Sequence, residues 1–140
     1  MIRVVLDTNV IVAAALTPKG TSSEILKLVA QKQLWLYVSQ AVVDEYVDVL
    51  GRSELGINPA RVKLLLRQLL AECQWLSPTK KVNVSPDPDD NVFLECAEAA
   101  KANYLVTGNT KHFPERWKYT KVVTARQFSD LLKSSPKKVR

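Results

Sequence analysis

Arg3-Val4-Val5-Leu6-Asp7-Thr8-Asn9 is the stretch around which the rest of the chain is organised. A β-branched and aliphatic run that stops abruptly at Asp-Thr-Asn predicts a short buried strand whose carboxyl end carries a carboxylate. In open parallel sheets, ligands sit just outside the carboxyl ends of the strands, so Asp7 stands where chemistry is usually done. The competing role is structural. Asn9 to Leu16 is an apolar helical stretch, and an Asp ahead of it can cap its first backbone N–H groups.

Working outward, the same grammar recurs. Tyr104-Leu105-Val106-Thr107-Gly108-Asn109 is a second short apolar strand ending in polar residues, the last of which has metal-binding capacity. Leu34 to Val38 and Thr120 to Val123 predict two further strands. Helices are expected from Thr21-Ser22-Ser23-Glu24, which offers N-cap chemistry, to about Gln31 and from a Ser39 cap to Gly51. Others run from Asn58-Pro59 to about Cys73, from Asp89 to Ala102, and from a Thr124 cap through Leu132. Strands alternating with helices predict an α/β fold, a mainly parallel sheet with helices on both faces. No internal repeat is present.

Two helices carry further acids. On the one after Ser39, Val42, Val43, Tyr46, Val47, Val49 and Leu50 form an apolar arc at 100° per residue. Asp48 falls on the solvated side, while Asp44 and Glu45 flank the arc and periodicity does not separate them. In Pro86-Asp87-Pro88-Asp89-Asp90-Asn91, Asp87 reads as a cap, Pro88 as the first helical residue, and Asp89 and Asp90 as complements to the helix dipole. Asp90 sits at the edge of the arc of Val92, Phe93, Cys96, Ala97, Ala99 and Ala100, in the first turn, so it can look inward. Asp7, Asn109, Asp90 and the Glu45 or Asp44 carboxylate thus fall at one rim of the sheet. Carboxylates gathered there repel one another, and a hard cation such as Mg²⁺ or Mn²⁺ relieves the repulsion. Zinc is disfavoured, because His112 is the only histidine and Cys73 and Cys96 lie in apolar helical patterns as buried, reduced thiols.

Composition bounds the remaining possibilities. The 140 residues are 46% hydrophobic, enough for one packed domain over residues 1–134 with a flexible basic tail at 135–140. No apolar run approaches the roughly 20 residues that span a bilayer, and the N-terminus lacks signal-peptide features, so a cytoplasmic protein with no membrane partner is expected. A net charge of +6 favours a polyanionic partner.

Leu6-Asp7-Thr8-Asn9, the Ser39 to Glu45 helix start, Asp90 to Ala97 and Tyr104 to Asn109 resemble, in order, the motifs of the PIN-domain family, most closely its single-domain toxins of bacterial and archaeal toxin-antitoxin pairs. The resemblance implies an RNase-H-like three-layer α/β/α sandwich and Mg²⁺- or Mn²⁺-dependent cleavage of single-stranded or structured RNA. It places the family's acids on Asp7, Glu45 and Asp90 and leaves Asp44 and Asp89 as neighbours. Asp7 and Asp90 would be direct ligands and Glu45 a ligand or the orienter of a bound water. Thr8, Asn9 and Thr107 match supporting polar positions. Where the family commonly has a fourth acid this chain has Asn109, a neutral ligand. Lys111, His112 and Arg116 follow the last motif and would gather substrate phosphates. The resemblance also implies a homodimer and an antitoxin partner, and Leu64, outside the core stripe of its helix, is a candidate interface residue. A phosphatase of the haloacid-dehalogenase type would need a second Asp where Asn9 stands. A binding module with a degenerate site is the stronger alternative, because Asn109 is a step in that direction.

Overall fold

The computed structural model describes residues 1–134, so the expected basic tail lies outside the described residues. The strands are β1 (Arg3–Leu6), β2 (Trp35–Val38), β3 (Gln74–Trp75), β4 (Tyr104–Val106), β5 (Arg116–Trp117) and β6 (Thr120–Val123). They form one sheet in the order β3-β2-β1-β4-β6-β5. All neighbours are parallel except β5 and β6. The helices are α1 (Thr8–Leu16), α2 (Thr21–Ala30), α3 (Gln40–Leu50), α4 (Pro59–Ala71), α5 (Pro88–Ala100) and α6 (Ala125–Ser134). The chain steps one way from β1 to β2 and β3, and the opposite way from β3 to β4. Right-handed crossovers therefore put α1 and α2 on one face of the sheet and α5 on the other. Accordingly α5 packs on β1, β2 and β4, while α2 packs against α1, α4 and α6.

Val4, Val5, Leu6, Leu36, Val38, Leu105 and Val106 are fully buried, as expected for parallel strands covered on both faces. Three helix starts follow the expected chemistry. Ser39 Oγ accepts from Val42 N, Asn58 Oδ1 from Ala60 N, and Asp87 Oδ1 from Asp89 N. Thr124 makes a reciprocal pair with Gln127 at the start of α6.

Elsewhere the structure corrects the reading. Thr21 is the first residue of α2 and Gly20 takes the cap position without a side-chain bond. Ser23 instead donates to the carbonyls of Ala14 and Thr17, stitching α2 to the end of α1. Val47, at the edge of its apolar arc, is 52% exposed. On α5 the buried side includes Asn91 and Leu94 and leaves Ala99 exposed, a rotation with a polar cause. Asn91 Oδ1 accepts from Val84 N and Ser85 N while its Nδ2 donates to Ser85 O, pinning the incoming loop. Cys96 is fully buried and burial pushes its thiol up to about 12, whereas Cys73 is only half-buried. Both cysteines are free.

Candidate functional site

The strand order reverses direction at β1 and β4, and a doubly wound sheet opens a crevice outside the carboxyl ends of the two strands at that point. Asp7 follows β1 and Thr107 follows β4. Asp7 N donates to Val106 O at 2.9 Å, which continues the parallel ladder one residue past the strand and holds the two loops side by side. Thr107 Oγ1 then donates to Asp7 Oδ2 at 2.7 Å, and Thr8 N donates to Asp7 Oδ1 at 2.7 Å. Asp7 therefore does both jobs that were in competition: it caps α1 and presents its carboxylate at the crevice. Thr107, wholly buried, also accepts from Asn109 N at 3.0 Å, and Gly108 N donates to Asn9 Oδ1 at 2.9 Å. Thr107 and Asn9 thus tie the loop after β4 to the start of α1.

Glu45 reaches the same region through its neighbour. The Tyr46 hydroxyl, fully buried, donates to Leu6 O, the carbonyl just before Asp7, and the Tyr46 ring packs against Phe93 of α5. This clamps α3 between β1 and α5. Glu45, partly buried, lines the depression, whereas Asp44 is exposed and accepts from Gln40 Nε2. From α5, Asp90 is oriented by Ser85 Oγ at 3.4 Å and His112 Nδ1 at 3.3 Å from its Oδ2. Asn109 Nδ2 lies 3.1 Å from His112 Nε2.

The result is an open depression of about 430 Å³ that brings together Asp7, Thr8, Asn9, Glu45, Asp90, Asn109 and His112. Lys111 and Arg116 are not among its lining residues. Arg52 is, beside Glu45, and the sequence reading passed it over. Its helical-spacing pair with Asp48 is the only local signal it carries. Burial raises the Asp7 carboxyl above the ordinary Asp range, opposed by the bonds from Thr107 and Thr8 and reinforced by Asp90. Burial also raises Glu45, with Asp89 and Asp48 adding to it, and raises Asp90, with Asp87 adding and His112 opposing.

Hard oxygen donors in mutual repulsion suit a divalent cation of the Mg²⁺ class. So does Thr8 Oγ1, a buried hydroxyl in the wall of the depression with no hydrogen-bond partner. Geometry is less complete than chemistry: among the described residues, no three His, Cys, Asp or Glu side chains stand close enough together to hold a metal ion.

Residues 3–111, which include Asp7, Glu45, Asp90 and Asn109, match the PIN-domain family model. The chain belongs to the PIN-domain family. An uncharacterized protein of Methanocaldococcus jannaschii is 31% identical to this PIN domain over 112 residues, covering 77% of this chain and 71% of the relative. VapBC2 from Rickettsia felis, solved bound to a DNA fragment from their promoter, shares the fold at a TM-score of 0.58 and 19% identity. The likeness covers 86% of this chain and 97% of the other. His112, β5, β6 and α6 lie beyond the residues that the family model matches. Among the described residues no helix is long and apolar enough to cross a membrane.

Proposed function

We propose that this PIN domain is an endoribonuclease that cuts single-stranded RNA with the help of Mg²⁺ or Mn²⁺. The observation that carries the reading is Asp7: a carboxylate only 7% exposed, held between two donors at the switch point of the sheet, with Asp90, Glu45 and an orphaned Thr8 hydroxyl in the same depression. Burying an anion in this way is unfavourable unless a cation offsets it.

Asp7 and Asp90 would hold the metal, with Glu45 and the Asn109 carbonyl oxygen completing the oxygen set. When bound, the metal would supply an activated water and charge stabilisation at the phosphoryl group. Thr107 fixes one oxygen of Asp7 and so aims the other side of the carboxylate. Glu45, clamped by Tyr46 against β1, would orient a water for in-line attack. His112 and Arg52, the two basic side chains that line the depression, would receive substrate phosphates or charge on the leaving oxygen.

The likeness to VapBC2 and the toxin-type motif order support a role as the toxin of a toxin-antitoxin pair, acting as a homodimer restrained by an antitoxin protein. The second reading, a metal-poor RNA- or protein-binding module, is favoured by Asn109 in place of an acid and by the incomplete convergence of the carboxylates. Incubating labelled single-stranded RNA with wild type, Asp7→Ala and Asp90→Ala purified in parallel separates the two. The nuclease reading expects cleavage that requires Mg²⁺ or Mn²⁺, stops with EDTA and is lost in both variants. Equal RNA loss in all three proteins would remove it and leave the binding module.

A further inference from the structure

The rim of the sheet opposite the acidic depression carries its own constellation. The described residues other than glycine with a left-handed backbone are Lys32, Lys101 and Lys118, and each sits in a turn that feeds a strand at its amino end. Glycine or asparagine suits that backbone better, so lysine at all three is not dictated by local conformation. Lys101 and Lys118 further share a second depression of about 400 Å³ with Lys80 and the exposed Tyr119. Two carboxylates lie in it, Glu95 and Glu98, and both are engaged. Glu95 Oε2 accepts from Val82 N at 3.1 Å, and Glu98 accepts from Trp117 Nε1 at 3.1 Å with Lys80 Nζ 3.6 Å away. Among the described residues Lys101 and Lys118 make no ion pair, and Lys118 Nζ rests 5.2 Å from the centre of the Trp117 ring.

We propose that Lys80, Lys101, Lys118 and Tyr119 form a second, non-catalytic binding site for the backbone and bases of single-stranded RNA. The identity of the ligand as RNA rests on the nuclease reading; the site itself does not. Without metal a polyanion is repelled by Asp7, Glu45 and Asp90, so charge placed beyond their reach adds affinity that Arg52 and His112 do not supply alone. Lysines supply that charge as point contacts to phosphates, and a tyrosine 72% exposed supplies a face on which any base stacks. The carboxylate side chains of an acidic polypeptide would use the lysines but bring no flat ring to lay on Tyr119. α5 links the two sites, with Asp89 and Asp90 in its first turn at the acidic depression and Lys101 just after its end. Thirteen residues of helix span about 20 Å, roughly six nucleotides at a stacked spacing of 3.4 Å, so one short strand reaches from anchor to cleft.

The test is binding of a fluorescent single-stranded RNA of about 12 nucleotides to the full-length protein in EDTA, followed by anisotropy across a salt series. Lys80→Gln/Lys101→Asn/Lys118→Asn removes the charges while asparagine tolerates the left-handed backbone at 101 and 118. The expected results are a Kd at least about tenfold weaker at low salt and a log–log salt slope shallower by about 2, three contacts at roughly 0.7 each. Tyr119→Ala should weaken binding about fivefold or more with the salt slope unchanged. Wild-type affinity in both variants, with melting temperatures intact, would overturn the site, and so would a wild type that does not bind in EDTA. Polyglutamate of equal length competing as well as RNA, regardless of Tyr119, would assign the rim to an acidic protein and overturn it too. RNA bound through the rim but never cut would sink the nuclease reading alone. RNA cut equally well by wild type and triple variant, with equal affinity, would sink this proposal alone.

Discussion

At the carboxyl ends of β1 and β4, Asp7, Glu45 and Asp90 face one depression, and at the amino ends of β4 and β6, Lys80, Lys101 and Lys118 face another. The first set is built on hydrogen bonds that reach across the sheet, such as Thr107 to Asp7, a hundred residues apart. The second sits in turns and loops beside two carboxylates of α5, Glu95 and Glu98, that are already engaged. One rim concentrates negative charge where burial disfavours it, and the other offers positive charge at little desolvation cost. A protein arranged this way can bind a polyanion at one place and do chemistry on it at another.

The largest expected effect breaks the acidic rim outright. Asp7→Ala or Asp90→Ala should lower the metal-dependent rate of RNA cleavage by at least about a hundredfold, the scale of losing a principal electrostatic element. Gel-resolved initial rates check it, and RNA affinity in EDTA, set at the other rim, should not fall. Next comes the strut between the strands. Thr107→Val keeps the shape but leaves Asp7 Oδ2 and Asn109 N without their partner, which should cost about 1–3 kcal/mol in urea unfolding. A variant as stable as wild type would show that the strut does not hold the two loops together.

A third experiment sharpens the charge contrast. Asn109→Asp adds an acid to the depression, so Mg²⁺ or Mn²⁺ at millimolar concentration should raise its melting temperature more than that of wild type, while without metal it should melt lower. If metal raises neither melting temperature, the rim does not serve a cation. The smallest effect is in pH. The raised carboxyl of Asp7 contributes stability that is present below its unfolded value, near 3.8, and lost as pH rises through the higher folded value. In EDTA, Asp7→Asn should therefore be the more stable protein at pH 7, and the difference should close below about pH 3.8. An advantage that persists unchanged into acid would mean that Asp7 titrates as an ordinary exposed carboxyl.

Some of this was legible locally. Val4-Val5-Leu6 and Leu105-Val106 are continuous apolar runs bounded by polar residues, and such a run has few places to go other than the middle of a parallel sheet. Ser39, Asn58 and Asp87 announce helix starts because a cap involves only the next two or three residues. β3 and β5 left no such mark. Each is two residues long, and Gln74, Trp75 and Arg116 are exposed, so backbone pairing with β2 and β6 makes them strands rather than any side-chain pattern. Asn91 looked like one more polar residue in an acidic helix start, and only the loop folded over it shows why α5 turns that side inward.

By itself, then, the sequence determined the α/β alternation, the strand ends that carry Asp7 and Thr107, and the ordered motifs that mark a PIN domain. The tertiary structure decided which of the flanking acids and bases meet: Glu45 rather than Asp44, Arg52 and His112 rather than Lys111 and Arg116, and three lysines spread over 39 positions drawn to the far rim. The reason is range. Propensity and capping act within a helical turn, whereas strand order and the rotation of a packed helix are set by contacts between residues tens of positions apart, and a site is assembled from those contacts.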